Sequence, residues 1–198
     1  VNKAFTLTVT ARNASGTTTP NYQDSAALSM TYVTPSTTQS GALSTTSLTA
    51  SNFSSGVATI STMKYNKWGA IKIVATNGTD TAKTGTSSAI TFYPKEFTLV
   101  FSTPPTARTF YYTNETFSGI LKALDNDGAV IANYAGAASI SGSSLGFPST
   151  YTFTSADAGT HKFTGLKGTT EAATTVTGSD SGNSAAKRAG SRVNKQLP

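Results

Sequence analysis

The sequence predicts an all-β protein built as two antiparallel β-sandwiches in tandem. Three observations predict it. Apolar residues alternate with polar ones at period two, as in Phe97-Thr98-Leu99-Val100-Phe101, the signature of half-buried strands. Turn signals rich in Gly, Pro, Asn and Asp separate these runs at a spacing of about 8–12 residues, as in sandwiches. Finally, much of the chain occurs twice, and a repeat of this length implies two copies of one folded unit.

The elements follow in order. Phe5-Leu7-Val9 forms the first alternating strand, and Asn13 to Gly16 a turn after it. A polar Thr/Ser stretch runs from Thr34 to Ser47. Tyr65-Asn66-Lys67-Trp68-Gly69 reads as another turn, and Ser88 to Tyr93 as the closing strand of the first unit. Pro94-Lys95-Glu96 is a junction too short for a floppy linker, so the units are expected end to end with limited freedom. The strand Phe97–Phe101 opens the second unit, and Pro104-Pro105 breaks it. Phe117 to Leu124 alternates again, Asp125-Asn126-Asp127-Gly128 turns, and Ala129-Val130-Ile131 continues. No segment has the 3.6-residue apolar period of an amphipathic helix.

The repeat sets the domain boundaries. Phe5, Ala11, Gly16, Asn21 and Tyr22 match Phe117, Ala123, Gly128, Asn133 and Tyr134, each 112 residues on. Later the offset is 103: Gly56, Ile60, Met63, Ile73 and Asn77 align with Gly159, Phe163, Leu166, Val176 and Asp180. The first unit therefore carries a longer insertion, placed between Thr34 and Ser47. The units are expected at 1–94 and 95–198, the second ending in a basic segment at about 183–198.

Composition narrows the class. Charged residues are 12% of the chain, while Ser and Thr together are roughly 30%. Low charge with abundant Thr suits a secreted β protein whose exposed strand faces carry hydroxyls. There is no Cys, which excludes disulfides, thiolate metal sites and Cys nucleophiles. No apolar run approaches the roughly 20 residues of a membrane helix. The chain starts at Val1 without Met or a signal sequence, as expected of a mature or excised product. The net charge of +6 is uneven. Residues 1–94 hold six bases and two acids, residues 95–182 five bases and seven acids, and the tail adds Lys187, Arg188, Arg192 and Lys195. No basic face interleaved with aromatics stands out, which argues against nucleic-acid binding.

Several stretches resemble a known family. They are Phe97–Phe101, the turn Asp125–Gly128, Asn133-Tyr134-Ala135-Gly136, and Tyr151-Thr152-Phe153-Thr154-Ser155-Ala156-Asp157-Ala158-Gly159-Thr160-His161-Lys162-Phe163. These resemble the bacterial immunoglobulin-like repeats found in tandem in large surface proteins and adhesins. The last stretch is the most specific. The likeness covers nearly all of the second unit, and the first more loosely through Ala11–Tyr22, Gly56–Met63 and Gly69–Asn77. It implies a seven-strand-type sandwich serving as stalk or spacer, without enzymatic activity or cofactor.

One departure stands out. The second unit has the strand Phe97–Phe101 before its Phe117 strand, whereas only four residues precede Phe5. The first sandwich is therefore expected to lack its opening strand, leaving an edge that soluble proteins normally protect. Either a preceding piece was removed, or another chain supplies the strand. The segment Ala185–Leu197 is a candidate donor, or else the closing strand of its own unit; it is poor in β-branched residues.

Candidate sites are few. Asp125 and Asp127 superficially resemble a calcium loop but lack its remaining oxygen ligands, so a plain turn is the simpler reading. His161 is the single His and sits on an alternating strand, where a structural role is expected. The sparse carboxylates give no paired acid motif for glycoside hydrolysis. Tyr65, Trp68, Phe110, Tyr111 and Tyr112 lie in connections, where aromatics either cover sandwich ends or meet a partner. Tyr22 and Tyr134 recur in both units and read as core or corner residues. Sequons at Asn13, Asn52, Asn77 and Asn114 are about as many as chance supplies.

The expected function is that of a non-enzymatic extracellular protein: a surface stalk, or a filament subunit assembling head to tail by strand exchange. Its partners are then other copies or neighbouring surface domains. The alternative is an adhesin or carbohydrate-binding module using the loop aromatics against a glycan or host surface.

Overall fold

The computed structural model describes residues 1–198 except 105–107, 143–144, 147–149, 172, 184–186 and 196–198. The chain divides into two compact units, Val1–Phe92 and Tyr93–Pro198. Each is a β-sandwich with immunoglobulin-like pairing, antiparallel except for one parallel pair in the second unit. Among the described residues the only helical pieces are two 3-10 turns, Ala50–Asn52 and Ser155–Asp157.

Unit 1 contains β1 (Phe5–Thr10), β2 (Ala26–Thr34), β3 (Ser47–Leu48), β4 (Val57–Met63), β5 (Gly69–Asn77), β6 (Thr84–Thr86) and β7 (Ile90–Phe92). β1 pairs with β4 in one sheet. The other sheet runs β3-β2-β5-β6, and β7 also pairs with β5. Alternation decides which face is buried. In β2, Ala26 and Leu28 point inward and Ala27 and Ser29 outward. They meet Leu48, Met63, Ile71 and Ile73 in the core.

Unit 2 contains β8 (Glu96–Phe101), β9 (Tyr111–Tyr112), β10 (Thr116–Leu124), β11 (Ala137–Ser141), β12 (Leu145–Gly146), β13 (Thr150–Thr152), β14 (Thr160–Gly168), β15 (Ala173–Asp180) and β16 (Lys187–Lys195). One sheet runs β12-β14-β10-β8 and the other β13-β11-β15-β16-β9, with β9 parallel to β16. The opening segment is split between the two sheets, with β8 at one end of the first and β9 at one end of the second. That core gathers Phe97, Leu121, Tyr134, Ile140, Leu166 and Val176.

The sequence repeat is also a repeat of local geometry. Gly56 has φ +77°, and a Cβ there would lie 2.2 Å from the Thr19 carbonyl oxygen. Gly159 has φ +72°, and its Cβ would lie 2.3 Å from that of Ile131. The turn residues repeat as well. Asn13 Oδ1 accepts the N–H groups of Ser15 and Thr17, both at 3.0 Å. Asp125 Oδ1 accepts those of Asp127 and Ala129, both at 2.9 Å. β2 has nine residues, where its counterpart β11 has five.

Candidate functional site

β1 and β10 are the same strand in the two units. Each pairs with the corresponding neighbour in the corresponding register: Phe5 with Met63 and Leu7 with Ile60, Phe117 with Leu166 and Gly119 with Phe163. Each carries an irregularity at the same point. They differ on the other edge. β10 takes β8 there, in a register running from Gly119 opposite Phe101 to Leu124 opposite Glu96. β1 takes no strand there among the described residues.

Strand alternation determines which groups face that edge. The Ser102 N–H donates to the Ser118 carbonyl at 2.8 Å, which starts a series of even-numbered β10 residues turned toward β8. On the opposite side the Ala123 N–H donates to Gly159, as its counterpart Ala11 donates to Gly56. The N–H and C=O groups of Thr8 and Thr10 therefore face away from β4, as those of Ile120 and Lys122 face β8.

Burial shows the consequence. Phe117, Leu121 and Ala123 are buried, whereas Phe5, Val9 and Ala11 are only half-buried. An open cleft of about 770 Å³ lies beside β1, lined by Leu7, Val9, Leu28, Phe53, Ile73 and Thr84–Ser87 among others. Among the described residues, two bases, Arg12 and Lys83, line it and no acid does. In unit 2 the matching place holds β8. Phe97 is fully buried with its ring edge-on to Tyr134 at 5.6 Å, and Phe101 meets Phe117 at 5.6 Å. The correspondence extends to residue 2. The Asn2 N–H donates to Tyr65 O at 2.8 Å with φ 56°, and the Asn114 N–H to Gly168 O at 2.7 Å with φ 64°.

The loop aromatics separate into two groups. Tyr65 and Tyr111 are buried, as the packing reading of the two open alternatives expects. Tyr65 packs on Phe92 at 4.9 Å; burial, with Tyr32 nearby, pushes its hydroxyl up to about 12. Tyr111 stacks on Phe117 at 4.7 Å, and its hydroxyl donates to the Ser102 carbonyl at 2.7 Å. Trp68, Phe110 and Tyr112 are half-buried. Phe110 and Tyr112 meet edge-on at 5.5 Å, and the Arg108 guanidinium lies 4.6 Å from the Tyr112 ring centre. Arg108 donates to both oxygens of Glu115, at 3.0 and 2.7 Å, and Glu115 also accepts the Tyr112 N–H at 2.8 Å. The Arg108 hydrogen bonds, then the Tyr112 N–H, hold the Glu115 carboxyl below its ordinary value. Sequence reading missed Arg108 and Glu115, although they bracket the aromatic run as an opposite-charge pair.

The basic tail is a closing strand. Lys187, Arg188 and Arg192 lie opposite Ser179, Gly178 and Thr174 of β15, and Lys195 lies opposite Tyr112 of β9. Between the two roles considered for the tail, donor or closing strand, its pairing is that of the closing strand. Ala185 and Leu197, the ends of the proposed donor, lie outside the described residues, as does Pro105.

The remaining polar groups are committed locally. Asp125 is buried and its carboxylate holds the turn, so the calcium-like arrangement is a turn. His161 stacks on Tyr151, and its Nδ1 lies 3.3 Å from Asp157 Oδ1. The Tyr151 hydroxyl donates to the Asp157 carboxylate at 3.0 Å. Burial alone would raise the Asp157 carboxyl. Hydrogen bonds from Thr154, Tyr151 and His161 outweigh it and leave the group below its ordinary value. Among the described residues no three metal-ligating side chains gather.

No family model matches the chain, and no curated protein matches it by sequence. Solved structures with a similar fold include two bacterial adhesins, a bacterial integrin-binding protein and two β-glucuronidases, from Bacteroides uniformis and Parabacteroides merdae. The Yersinia pseudotuberculosis adhesin InvE is 12% identical over 96% of this chain, with a TM-score of 0.47. The Escherichia coli adhesin FdeC is 19% identical over 98%, with a TM-score of 0.42. Invasin, described as a bacterial integrin-binding protein, is 16% identical over 98%, with a TM-score of 0.39. The chain spans 53%, 60% and 36% of those chains.

Proposed function

We propose that this chain is a non-enzymatic structural segment of an extracellular bacterial surface protein, an adhesin-type stalk of tandem immunoglobulin-like units. Neighbouring segments join head to tail, and a neighbour's strand completes the open β1 edge of unit 1. The observation that carries the reading is the contrast between β1, paired on one side, and β10, paired on both. An open edge with half-buried apolar residues beneath it is a template for strand addition. Charge supports the polarity: unit 1 carries six bases against two acids, and residues 95–182 seven acids against five bases. Complementary potentials favour a heterologous contact, which propagates as an open fibre unless it closes.

Electron microscopy with solution mass tests this reading. Regular fibres, with an axial repeat of one or two unit lengths, are expected at high concentration. Strict monomers whose β1 edge stays unprotected would overturn head-to-tail assembly.

A second reading draws on the Arg108–Phe110–Tyr112 cluster. Two partly exposed rings held by an Arg–Glu pair form a surface that stacks on a sugar or anchors a protein loop. Loss of glycan or cell binding in Tyr112→Ala and Trp68→Ala would support it, and unchanged binding removes its basis.

A further inference from the structure

The cleft in unit 1 has a shape and chemistry that unit 2 already displays in its filled form. β8 occupies the matching place and presents Phe97, Leu99 and Phe101 inward, with Val100 outward at 59% exposure. It begins with an acid, Glu96, opposite Leu124. The residue of unit 1 that corresponds to Leu124 is Arg12, exposed at the cleft.

We infer that the cleft receives an extended strand of the β8 kind. This strand has an acid at its start, bulky apolar side chains at alternate positions after it, and runs antiparallel to β1. The inference rests on the reading that a strand from outside completes unit 1, and it specifies the chemistry and register of that strand. Transferring the β10–β8 register by 112 residues sets its contacts. The acid lies opposite Arg12, and the first apolar residue opposite Ala11. The second apolar residue falls opposite Val9 and the third opposite Leu7.

Three features favour a strand over a compact ligand. The outward N–H and C=O groups of Thr8 and Thr10 repeat every second residue, a spacing that another extended backbone matches. Leu7 and Val9 alternate with these positions and line the cleft, so side chains of alternate residues are received. Among the described residues the lining holds Arg12 and Lys83 and no acid, which suits an acid-led strand.

The test uses the full chain, dilute enough to be monomeric, and a synthetic peptide of residues 94–103. Calorimetric titration and backbone amide exchange are the readouts. Saturable one-to-one binding is expected, with new protection at the Thr8 and Thr10 amides. A peptide N-methylated at Val100, whose N–H faces β10 in the native pair, is expected to bind about tenfold more weakly. One methylated at Leu99, whose N–H faces away, is expected to bind within about twofold. Replacing Leu99 by Asp in the peptide is expected to abolish binding. Absence of saturable binding, or binding that leaves the Thr8 and Thr10 amides unchanged, overturns the inference.

The two readings fail separately. If the chain assembles through β1 while the peptide neither binds nor competes, the strand chemistry is refuted and assembly stands. If the peptide binds in register while the chain stays monomeric at every concentration, the strand assignment stands and self-assembly is refuted.

Discussion

The Tyr134 hydroxyl donates a 2.5 Å hydrogen bond to the Asp180 carboxylate, and both residues are buried. The same carboxylate accepts the N–H groups of Gly182 and Asn183, at 2.7 and 2.8 Å. The corner thus ties the loop after β10 to the end of β15. Its counterpart in unit 1 is neutral and less buried: Asn77 Nδ2 donates to the Tyr22 hydroxyl at 2.9 Å, which donates to the Ser25 carbonyl. Tyr134→Phe is therefore expected to cost about 1.5–3 kcal/mol, the range for hydrogen bonds to charged groups. Tyr22→Phe is expected to cost about 0.5–1.5 kcal/mol. Urea unfolding followed by circular dichroism measures both, and equal small losses would contradict the difference.

Alkaline pH acts on the same corner. Burial, then the hydrogen bond to Asp180 and its negative charge, raise the Tyr134 hydroxyl above its ordinary value. Burial pushes Tyr65 up to about 12. Both protons are held more tightly in the folded chain. Their contribution is complete below the unfolded tyrosine value of about 10 and is lost as pH rises through the folded values. Stability is expected to fall from about pH 10 upward, with a shallower fall in Tyr65→Phe/Tyr134→Phe. Parallel profiles for the two proteins would contradict this.

The paired glycines give a steric prediction. At Gly159 a side chain meets both a positive φ of +72° and the Ile131 carbonyl. At Gly128 the φ is +82° and nothing lies within 4 Å. Gly159→Ala is expected to cost more than about 2 kcal/mol, and Gly128→Ala about 1 kcal/mol. Matching urea midpoints for the two variants would show that the carbonyl yields.

Much of the fold was legible because turn chemistry and strand alternation agree in both copies. Asn13 and Asp125 hold their turns in the same way, and Gly56 and Gly159 fit under equivalent carbonyls. Tyr65 and Tyr111 were not legible, because an aromatic residue in a turn-like segment reads alike whether buried or exposed. Their neighbours, Phe92 and Phe117, are distant or on another strand. The tail was obscure for a different reason. Lys187–Lys195 has little β propensity of its own, and pairing with β15 and β9 makes it a strand. Arg108 and Glu115 were overlooked because only the chain reversal around Tyr112 brings them together.

That ion pair has an acid-side consequence. The Arg108 hydrogen bonds hold Glu115 below its ordinary value, so its contribution is present above the unfolded carboxyl value, about 4.3. It is lost as pH falls through the lower folded value. Arg108→Gln is expected to move the Glu115 carboxyl back up in an NMR titration and to loosen the Tyr112 ring. An unmoved Glu115 would assign its shift to the Tyr112 N–H alone.

The most direct measurement is backbone amide exchange on the dilute, monomeric chain, comparing Thr8 and Thr10 with Ile120 and Lys122. These are equivalent positions on β1 and β10, and only those on β10 have a strand beyond them among the described residues. Fast exchange at Thr8 and Thr10 beside strong protection at Ile120 and Lys122 is the result this account predicts. Equal protection in both strands would mean that the β1 edge is already satisfied, and would contradict it.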